Sequence, residues 1–266
     1  MGLTALMDLV DVRALRIART RSDLSLAPDE RVMGGGTWLF SEPQPGVAGV
    51  VDLAGLAWPA LEDLPDGGLR IAATCTLVEL AESGRHPLFR PACEALLASF
   101  KIWEAATVGG NVCLSLPAGA MIALTAGLDG EAVIWRGDAE RRLPVEDLVT
   151  GVAANALAPG EVLRAIDLPP AALAGRAALR RVALAPLGRS GALLVGRRDA
   201  DGSFSLTVTA ATPRPYVLRF AELPGAGELA AAVDAIDDWY DDPHGAPDWR
   251  RAMCLRLAEE LREELA

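Results

Sequence analysis

The stretch Gly34-Gly35-Gly36-Thr37-Trp38-Leu39 follows a short strand-like run ending at Val32 and Met33, and it decides how we interpret the fold. Glycine adopts positive φ without strain and lets the backbone approach a ligand closely. Successive backbone N–H groups in such a turn form a concave site for an anion. The stretch therefore predicts a phosphate-binding loop, which we call the first glycine loop.

A second stretch of the same kind is Thr107-Val108-Gly109-Gly110-Asn111, which comes after a predicted helix and an irregular segment. We call it the second glycine loop. Two such turns in one domain, each beside a threonine hydroxyl, suit the two phosphates of a dinucleotide. Neither matches the G-x-G-x-x-G or G-x-x-x-x-G-K-[ST] fingerprint, so two ordinary turns remain the alternative on residue patterns alone.

Composition excludes several classes of partner. The chain has 266 residues, with 25 Lys or Arg against 36 Asp or Glu, which gives a net charge of −11. Nucleic acid is disfavoured because its recognition needs a basic face, and Lys101 is the single lysine. No apolar run reaches the roughly 18–20 residues of a membrane span. The first 13 residues lack the cationic flank of a secretory signal, so we expect a cytoplasmic protein.

Residues that could carry chemistry by themselves are few. The cysteines stand at 75, 93, 113 and 254 without a C-x-x-C pair, which argues against zinc, a self-contained iron–sulfur cluster and a disulfide framework. We expect His86 and His244 to be solvated loop residues and Cys113 to be a small buried hydrophobe. We therefore predict no catalytic side chain and no metal ligand, and we favour a cofactor-carrying role.

Glycine and proline divide the chain into short elements. Strands are predicted at 31–33, 47–53, 69–74 and 131–135, and helices at 76–83, 91–98, 118–127 and from 144 to 148. The stretch 161–170 is predicted as a strand followed by the two prolines that end it, so we predict a domain boundary near residue 170. Beyond it, strands are predicted at 177–185, 191–198, 203–211 and 215–222, followed by helices at 226–235 and 248–265. Strands followed by helices favour an α+β arrangement over a parallel βαβ sheet.

The order of these motifs resembles the FAD-binding medium subunit of the molybdenum hydroxylases, the xanthine dehydrogenase and carbon monoxide dehydrogenase family. The two glycine loops are similar to the family's A-G-G-T-D-L and T-I-G-G-N. Further similar stretches are Val51-Asp52-Leu53, Ile71-Ala72-Ala73-Thr74-Cys75-Thr76, Leu116-Pro117-Ala118-Gly119-Ala120, the E-x-L-x-x-I-x-x-P stretch at 161–169, Arg180-Arg181 and the helix start at Asp248. The resemblance covers nearly the whole chain and rests on the order and spacing of the motifs.

The resemblance implies an α+β fold with two domains. A two-lobed FAD-binding domain of the vanillyl-alcohol-oxidase (PCMH) type would span 1–170, with its lobes divided near 55–65. A smaller α+β flavoprotein C-terminal domain would span 171–266. Leu163 and Arg181 would match positions near the isoalloxazine ring, where a cation stabilises the anionic reduced flavin. The FAD-binding residues it implies are Val32, Met33, Gly34, Gly35, Gly36, Thr37, Trp38, Leu39, Thr107, Val108, Gly109, Gly110, Asn111, Ser115, Leu163 and Arg181.

The function implied by the resemblance is that of an FAD-carrying electron-transfer subunit in a molybdenum hydroxylase complex. A large partner subunit would hold the molybdenum cofactor, and a small one would hold [2Fe–2S] clusters. A dimer of such heterotrimers is one assembly that it allows. Electrons would reach this flavin from the clusters and leave to NAD, a quinone, dioxygen or another acceptor.

Three departures from the family pattern keep other functions open. Trp38 replaces the acid of T-D-L, Trp103-Glu104 replaces an Arg-Asn pair, and Ala120 replaces the acid of S-P-A-G-D. The missing carboxylate at Ala120 predicts a weaker hold on the adenosine end of FAD. One alternative is a flavin-poor scaffold subunit that docks the same partners. Another is a stand-alone flavoenzyme of the same fold.

Overall fold

The computed structural model describes residues 11–266, so most of the stretch used to argue against a secretory signal lies outside it. The first sheet contains β1 (Ala14–Ile17), β2 (Glu30–Met33) and β3 (Gly49–Asp52). The central strand β3 is parallel to both neighbours. The first glycine loop begins where β2 ends, so this sheet fixes the point at which the loop leaves the core.

The second sheet is larger and contains β4 (Leu61–Asp63), β5 (Leu69–Ala72), β6 (Glu131–Arg136), β7 (Ala139–Pro144) and β10 (Val162–Leu168). Its strands are antiparallel and lie in the order β4-β5-β10-β6-β7. Between β5 and β6 come α1 (Leu77–Glu82), α2 (Phe89–Ala95), α3 (Phe100–Trp103), α4 (Val108–Leu114) and α5 (Ala120–Gly127). Between β7 and β10 come α6 (Val145–Leu148) and a small ribbon of β8 (Val149–Gly151) and β9 (Ala154–Asn155).

The third sheet comes after α7 (Pro170–Ala174) and is an antiparallel meander. It contains β11 (Arg176–Val182), β12 (Ala192–Arg198), β13 (Phe204–Thr209) and β14 (Tyr216–Phe220), before α8 (Ala226–Asp234) and α9 (Pro247–Glu264). One face of β12 and β13 packs on α8 and α9 in one core, while Leu193 and Val195 belong to the main core with α5. Helix α5 is buried along its whole length, as expected of a helix that is apolar all round.

The predicted α+β mixture of helices and strands is confirmed, with the ends of the predicted elements within a few residues, although the first sheet is parallel. The helix predicted at 76–83 begins with a capping box, because the Thr76 hydroxyl accepts from the Glu79 N–H at 3.3 Å and the Glu79 carboxylate accepts from the Thr76 N–H at 2.8 Å. The first sheet ends at Asp52 and the second begins at Leu61. The divisions near 55–65 and near 170 stay predictions.

Two sequence-based expectations are wrong. The second glycine loop is not a turn, because α4 begins at Val108 with Thr107 as its N-cap. His86 is not solvated, since it is 5% exposed and its Nδ1 accepts from the Leu88 N–H at 3.2 Å. The sequence pattern did not indicate this burial, because it places His86 in a loop. In the structure that loop packs against α2, where the His86 and Phe89 rings are 5.5 Å apart. Among residues 11–266, no helix is both long and apolar enough to cross a membrane.

Candidate functional site

A cleft of about 1030 Å³ lies where the first sheet, the helices around α4 and the third sheet approach one another. Ligand pockets are usually about 300–1,000 Å³, so this one suits an elongated, dinucleotide-sized molecule. The first glycine loop forms one wall, and 116–119 with the β8–β9 turn forms another. The end is formed by residues from the connections between strands of the third sheet and from the segment before α9, namely Leu187, Arg189, Ser190, Ala210, Tyr240 and Asp242.

The structure brings most of the predicted site residues to this cleft. Those that line it are Val32, Met33, Gly34, Gly35, Gly36, Thr37, Trp38, Leu39, Thr107, Gly110 and Asn111. The others lie behind its walls, namely Val108, Gly109, Ser115, Leu163 and Arg181. The motifs alone do not distinguish the two groups, because adjacent residues of one motif differ in position. Thr107 lines the cleft, for example, and Val108 does not.

The first glycine loop presents unused backbone donors. Within the described part of the chain, the N–H groups of residues 34–38 donate no hydrogen bond to the protein. Gly36 has a φ of +71°, a conformation that favours glycine. A run of free N–H groups beside a cleft is an anion-binding arrangement, which agrees with the interpretation made from the sequence.

The second glycine loop uses its donors internally. The Val108 N–H donates to the Cys75 carbonyl at 2.8 Å, and the Gly109 N–H donates to the Ala73 carbonyl at 3.0 Å. The Gly110 N–H donates to Thr107 Oγ1 at 3.0 Å. The prediction of a second concave anion site formed by these three N–H groups is therefore wrong for this conformation. The reason is the helix start, where the protein itself satisfies the first N–H groups.

The two loops touch each other. An added Cβ at Gly35 would lie 1.4 Å from the Ala105 carbonyl oxygen, and one at Gly34 would lie 2.6 Å from Thr107 Oγ1. Only glycine permits this approach. Thr107 is 5% exposed, and its hydroxyl keeps a proton to donate after accepting from Gly110. The second loop thus supports the first from behind and adds a side-chain hydroxyl to the cleft.

Asn111 adds a further side-chain donor. Its Oδ1 accepts from the Met121 N–H at 3.1 Å, which fixes the orientation of the amide. The Nδ2 group then remains available on the cleft side, since it has no hydrogen-bond partner among residues 11–266. Ala120, in contrast, is fully buried at the start of α5 and does not line the cleft. The weaker hold on adenosine expected from the alanine stays a prediction.

The predicted residues behind the walls have supporting contacts. Leu163 is 3% exposed in β10 and pairs with Ile134. Ser115 is fully buried with a φ of +52°, and its hydroxyl donates to the Val112 carbonyl at 3.1 Å. Arg181 donates to Ser190 Oγ at 2.8 Å and to the Gly188 carbonyl. Arg181 therefore holds the segment that carries Arg189 to the cleft. Its own pKa is lowered by burial.

Two groups that could perform nucleophilic or acid–base chemistry, the Cys113 thiol and the His86 imidazole, are held in unreactive forms. Burial raises the pKa of the Cys113 thiol to about 12, although the residue borders the cleft. A neutral thiol is a poor nucleophile. Burial, with a smaller effect from the charge of Arg197, lowers the pKa of His86 to about 4. Across the described residues, no three His, Cys, Asp or Glu side chains are grouped as metal ligands.

Sequence reasoning missed the end of the cleft. Arg189, Tyr240 and Asp242 belong to no motif, and the Asp-Asp-Pro-His-Gly-Ala-Pro stretch predicts only a loop without function. Only tertiary packing brings these residues to the same cleft as the first loop, which lies about 150 to 200 positions earlier in the chain. The sequence of the stretch, with its prolines and acids, gives only the signal of a turn.

A family model described as "FAD binding domain in molybdopterin dehydrogenase" matches residues 12–171. The chain belongs to this family. It is thus an FAD-binding oxidoreductase subunit of the molybdenum hydroxylase type, as the motif order predicted, and FAD is the cofactor of its domain. No curated protein matches the chain significantly in sequence.

Solved structures resemble this FAD-binding subunit over nearly its whole length. Carbon monoxide dehydrogenase from Hydrogenophaga pseudoflava superposes with a TM-score of 0.81 at 18% identity, covering 96% of this chain and 97% of that one. Carbon monoxide dehydrogenase from Oligotropha carboxidovorans gives 0.80 at 21%, covering 95% and 98%. Quinoline 2-oxidoreductase from Pseudomonas putida 86 gives 0.79 at 17%, covering 95% and 96%. These likenesses confirm the predicted fold.

The cleft of the FAD-binding subunit fits its cofactor on three counts. Its volume accommodates an elongated dinucleotide. The free N–H groups of residues 34–38 match the charge and acceptor oxygens of a pyrophosphate. The faces of Val32 and Met33, both half-buried in the wall, offer apolar contact to an aromatic ring system.

Proposed function

We propose that this chain is the electron-transfer subunit of a molybdenum hydroxylase complex. It would take electrons from [2Fe–2S] clusters of a small partner subunit and pass them to NAD, a quinone, dioxygen or a similar acceptor. A large partner subunit with the molybdenum cofactor would perform the hydroxylation. The proposal is supported by the family of the chain and by its end-to-end likeness to subunits in structures of carbon monoxide dehydrogenase and quinoline 2-oxidoreductase.

The observation that carries the proposal is the row of free N–H groups in the first glycine loop. We assign the pyrophosphate of FAD to this loop, because a doubly charged group there gains several charge-assisted hydrogen bonds at once. The Thr107 hydroxyl and the Asn111 Nδ2 group would add side-chain donors on the neighbouring wall. Bound FAD supplies a redox group that exchanges one or two electrons, which lets a subunit without catalytic side chains relay them.

The remaining predicted residues act indirectly in this proposal. Val108 and Gly109 fasten the second loop to the strand-end carbonyls, and Ser115 ends α4. Leu163 fills the core behind the cleft. Arg181 holds the segment around Ser190, so that Arg189 provides the exposed cation at the end of the cleft. A cation there would stabilise negative charge on the part of the cofactor that lies at this end.

Purification from the native source at native expression level tests the complex. We expect an iron–sulfur chain and a molybdenum-cofactor chain to copurify with this subunit, and the visible spectrum to show about one FAD per chain. An isolated monomer with full turnover on a small substrate would overturn the proposal in favour of a stand-alone flavoenzyme.

A flavin-poor scaffold is the second candidate, and one observation favours it. The N–H groups of Val108, Gly109 and Gly110 are already hydrogen-bonded within the protein, so the cleft offers fewer donors than two free loops would. A scaffold predicts a complex that assembles normally with far less than one FAD per chain. The FAD content of the assembled complex separates the two candidates.

A further inference from the structure

The end of the cleft carries a carboxylate to which the sequence motifs gave no role. Asp242 borders the cleft together with Tyr240, and it is the one acid among the lining residues within 11–266. Its Oδ1 accepts from the His244 N–H at 2.8 Å and from the Arg250 guanidinium. Its Oδ2 accepts no hydrogen bond from the described residues. Asp242 thus has one oxygen anchored and one open.

Arg250 anchors this carboxylate from inside the protein. It is 1% exposed, and its guanidinium donates to the Gly245 carbonyl at 2.8 Å, the Gly191 carbonyl at 2.7 Å and the Ala210 carbonyl. The Tyr240 ring lies 5.5 Å from the guanidinium carbon. A buried arginine persists only where its charge and donors are matched. This one is matched by the three carbonyls and by Asp242, so its position fixes that of the carboxylate.

Ala210 connects this anchor to the opposite wall. It has a φ of +63°, a strained conformation for a residue with a Cβ, and such strain is held only where the surroundings impose it. Its N–H donates to the Pro117 carbonyl at 2.8 Å, and its carbonyl accepts from Arg250. The chain of contacts from Pro117 through Ala210 and Arg250 to Asp242 ties both sides of the cleft together. The carboxylate is thereby set at a fixed distance from the 116–119 wall.

We propose that Asp242 binds hydroxyl groups of the dinucleotide and that Arg250 is the residue that positions it. The inference rests on the proposed FAD site and names a contact within it. A carboxylate oxygen accepts hydrogen bonds and repels phosphate, so Asp242 suits the sugar part of the ligand, while the first glycine loop suits the pyrophosphate. Because Asp242 is paired with Arg250, the negative charge that Asp242 adds to the cleft beside the phosphates is offset.

Two parts of FAD carry such hydroxyls, the ribose of the adenosine end and the ribityl chain of the flavin end. Both offer the same chemistry to Asp242, so fragments separate them. ADP carries only the ribose, and riboflavin carries only the ribityl chain. Loss of the Asp242 contact should weaken one fragment and spare the other.

The test titrates flavin-free Asp242→Asn protein with FAD, ADP and riboflavin, followed by fluorescence or calorimetry. Hydrogen bonds to charged groups are worth a factor on the order of 10 to 100 in affinity. We expect FAD and one fragment to bind at least about tenfold more weakly. The neighbouring acid, Asp241, is exposed and outside the cleft, so Asp241→Asn is the matched control and should bind all three as the unaltered protein does.

Arg250→Lys tests the positioning role. It should weaken the same fragment as Asp242→Asn and leave the other unchanged, which a general loss of structure would not do. Arg251→Lys, in the exposed pair with Asp234, is its control and should leave both fragments unchanged. Equal weakening of ADP and riboflavin in either variant, or unchanged FAD affinity in Asp242→Asn, overturns the inference.

A second measurement needs no variant and covers the case in which Asp242→Asn does not fold. The unaltered protein is titrated with ADP against 2′,3′-dideoxy-ADP, and with riboflavin against lumiflavin. We expect one pair to differ by about tenfold or more, and equal affinities within both pairs would overturn the inference. An unaltered protein that binds no FAD at all defeats the proposed function itself, an outcome distinct from these.

Discussion

The two glycine loops both combine glycines with a threonine, and they use their backbone N–H groups in opposite ways. In the first loop, the N–H groups of residues 34–38 donate nothing to the described protein, and these residues line the cleft. In the second, the N–H groups of Val108, Gly109 and Gly110 are all hydrogen-bonded within the protein. The first loop is a binding surface, and the second is a support that adds side-chain groups. Glycine content alone does not tell one from the other.

The difference arises from the backbone on the C-terminal side of each loop. The second loop continues into α4, so its first N–H groups are satisfied by the Thr107 cap and by the carbonyls of Ala73 and Cys75. The first continues into a turn in which the Phe40 N–H donates to the Gly36 carbonyl at 3.0 Å, and no carbonyl of the described residues accepts from the N–H groups of residues 34–38. An anion-binding loop therefore needs donors that the fold leaves unused as well as glycine.

The largest expected effect comes from Gly35→Ala, which breaks the contact between the loops. The added Cβ would lie 1.4 Å from the Ala105 carbonyl oxygen, and backbone does not yield easily. We expect a loss of at least roughly 3 kcal/mol in the free energy of unfolding together with loss of FAD binding. Thermal and denaturant unfolding of the flavin-free protein measure it.

The control for that change is Gly227→Ala in α8, where an added Cβ meets nothing within 4 Å. Alanine favours a helix by up to about 1 kcal/mol over glycine, so this variant should be slightly stabilised. Gly35→Ala protein with native stability would mean that the two loops do not rest on each other.

The next largest effect distinguishes Gly110, which lines the cleft, from Gly109, which packs against Ala73. At Gly110 an added Cβ meets only Thr107 Oγ1, at 2.9 Å, and the residue lines the cleft. We expect Gly110→Val to fold while FAD affinity falls by a factor on the order of 100. At Gly109 an added Cβ would lie 2.5 Å from the Ala73 Cβ, so Gly109→Ala should lose stability first. Gly110→Val protein with unchanged FAD affinity would rule out this wall as part of the site.

Low pH provides a way to reduce the stability of the fold without changing either glycine loop. The pKa of His86 is about 4 in the folded chain, below the roughly 6.5 of the unfolded chain. Stability from its neutral form is complete above about pH 6.5 and falls as pH drops toward 4, by about 2 kcal/mol at pH 5. His86→Asn should flatten this dependence and leave FAD affinity at pH 7 unchanged. An equally steep dependence in the variant would assign the effect to other groups.

The smallest effect concerns the Thr107 hydroxyl, which caps α4 and also faces the cleft. Thr107→Val should cost about 1 kcal/mol of stability through the lost cap. It should also weaken FAD by roughly 3- to 10-fold through the lost donor. Thr76→Val removes the cap of α1 and should lose similar stability with unchanged FAD affinity. If Thr107→Val binds FAD as tightly as Thr76→Val does, Thr107 acts only as a cap.

The fold was largely predictable because its signals are local. Three stretches each indicate an element by themselves. They are the capping box of Thr76 and Glu79, the Asp199-Ala200-Asp201-Gly202 turn between β12 and β13, and the apolar repeat of Met253, Leu257 and Leu261 in α9. The start of α4 was missed, since two glycines in a first helical turn look like a loop in sequence. The burial of His86 was missed because it depends on α2 and the third sheet closing around it.

The candidate site was predictable only in part. The first glycine loop, Thr107 and Asn111 were found through their motifs and do meet at the cleft. Tyr240, Asp242 and the buried Arg250 were missed, because their arrangement depends on contacts between distant segments. A sequence pattern shows which residue type stands at each position. It does not show that Arg250 contacts both Ala210 and Asp242.

Amide hydrogen exchange, resolved residue by residue with and without FAD, tests the central claim most directly. We predict that the N–H groups of residues 34–38 exchange rapidly in the flavin-free protein and become protected when FAD binds. Those of Val108, Gly109 and Gly110 should be protected in both states, since the protein already holds their hydrogen bonds. Unchanged exchange in the first loop on binding FAD, with new protection confined to the second, would contradict the account.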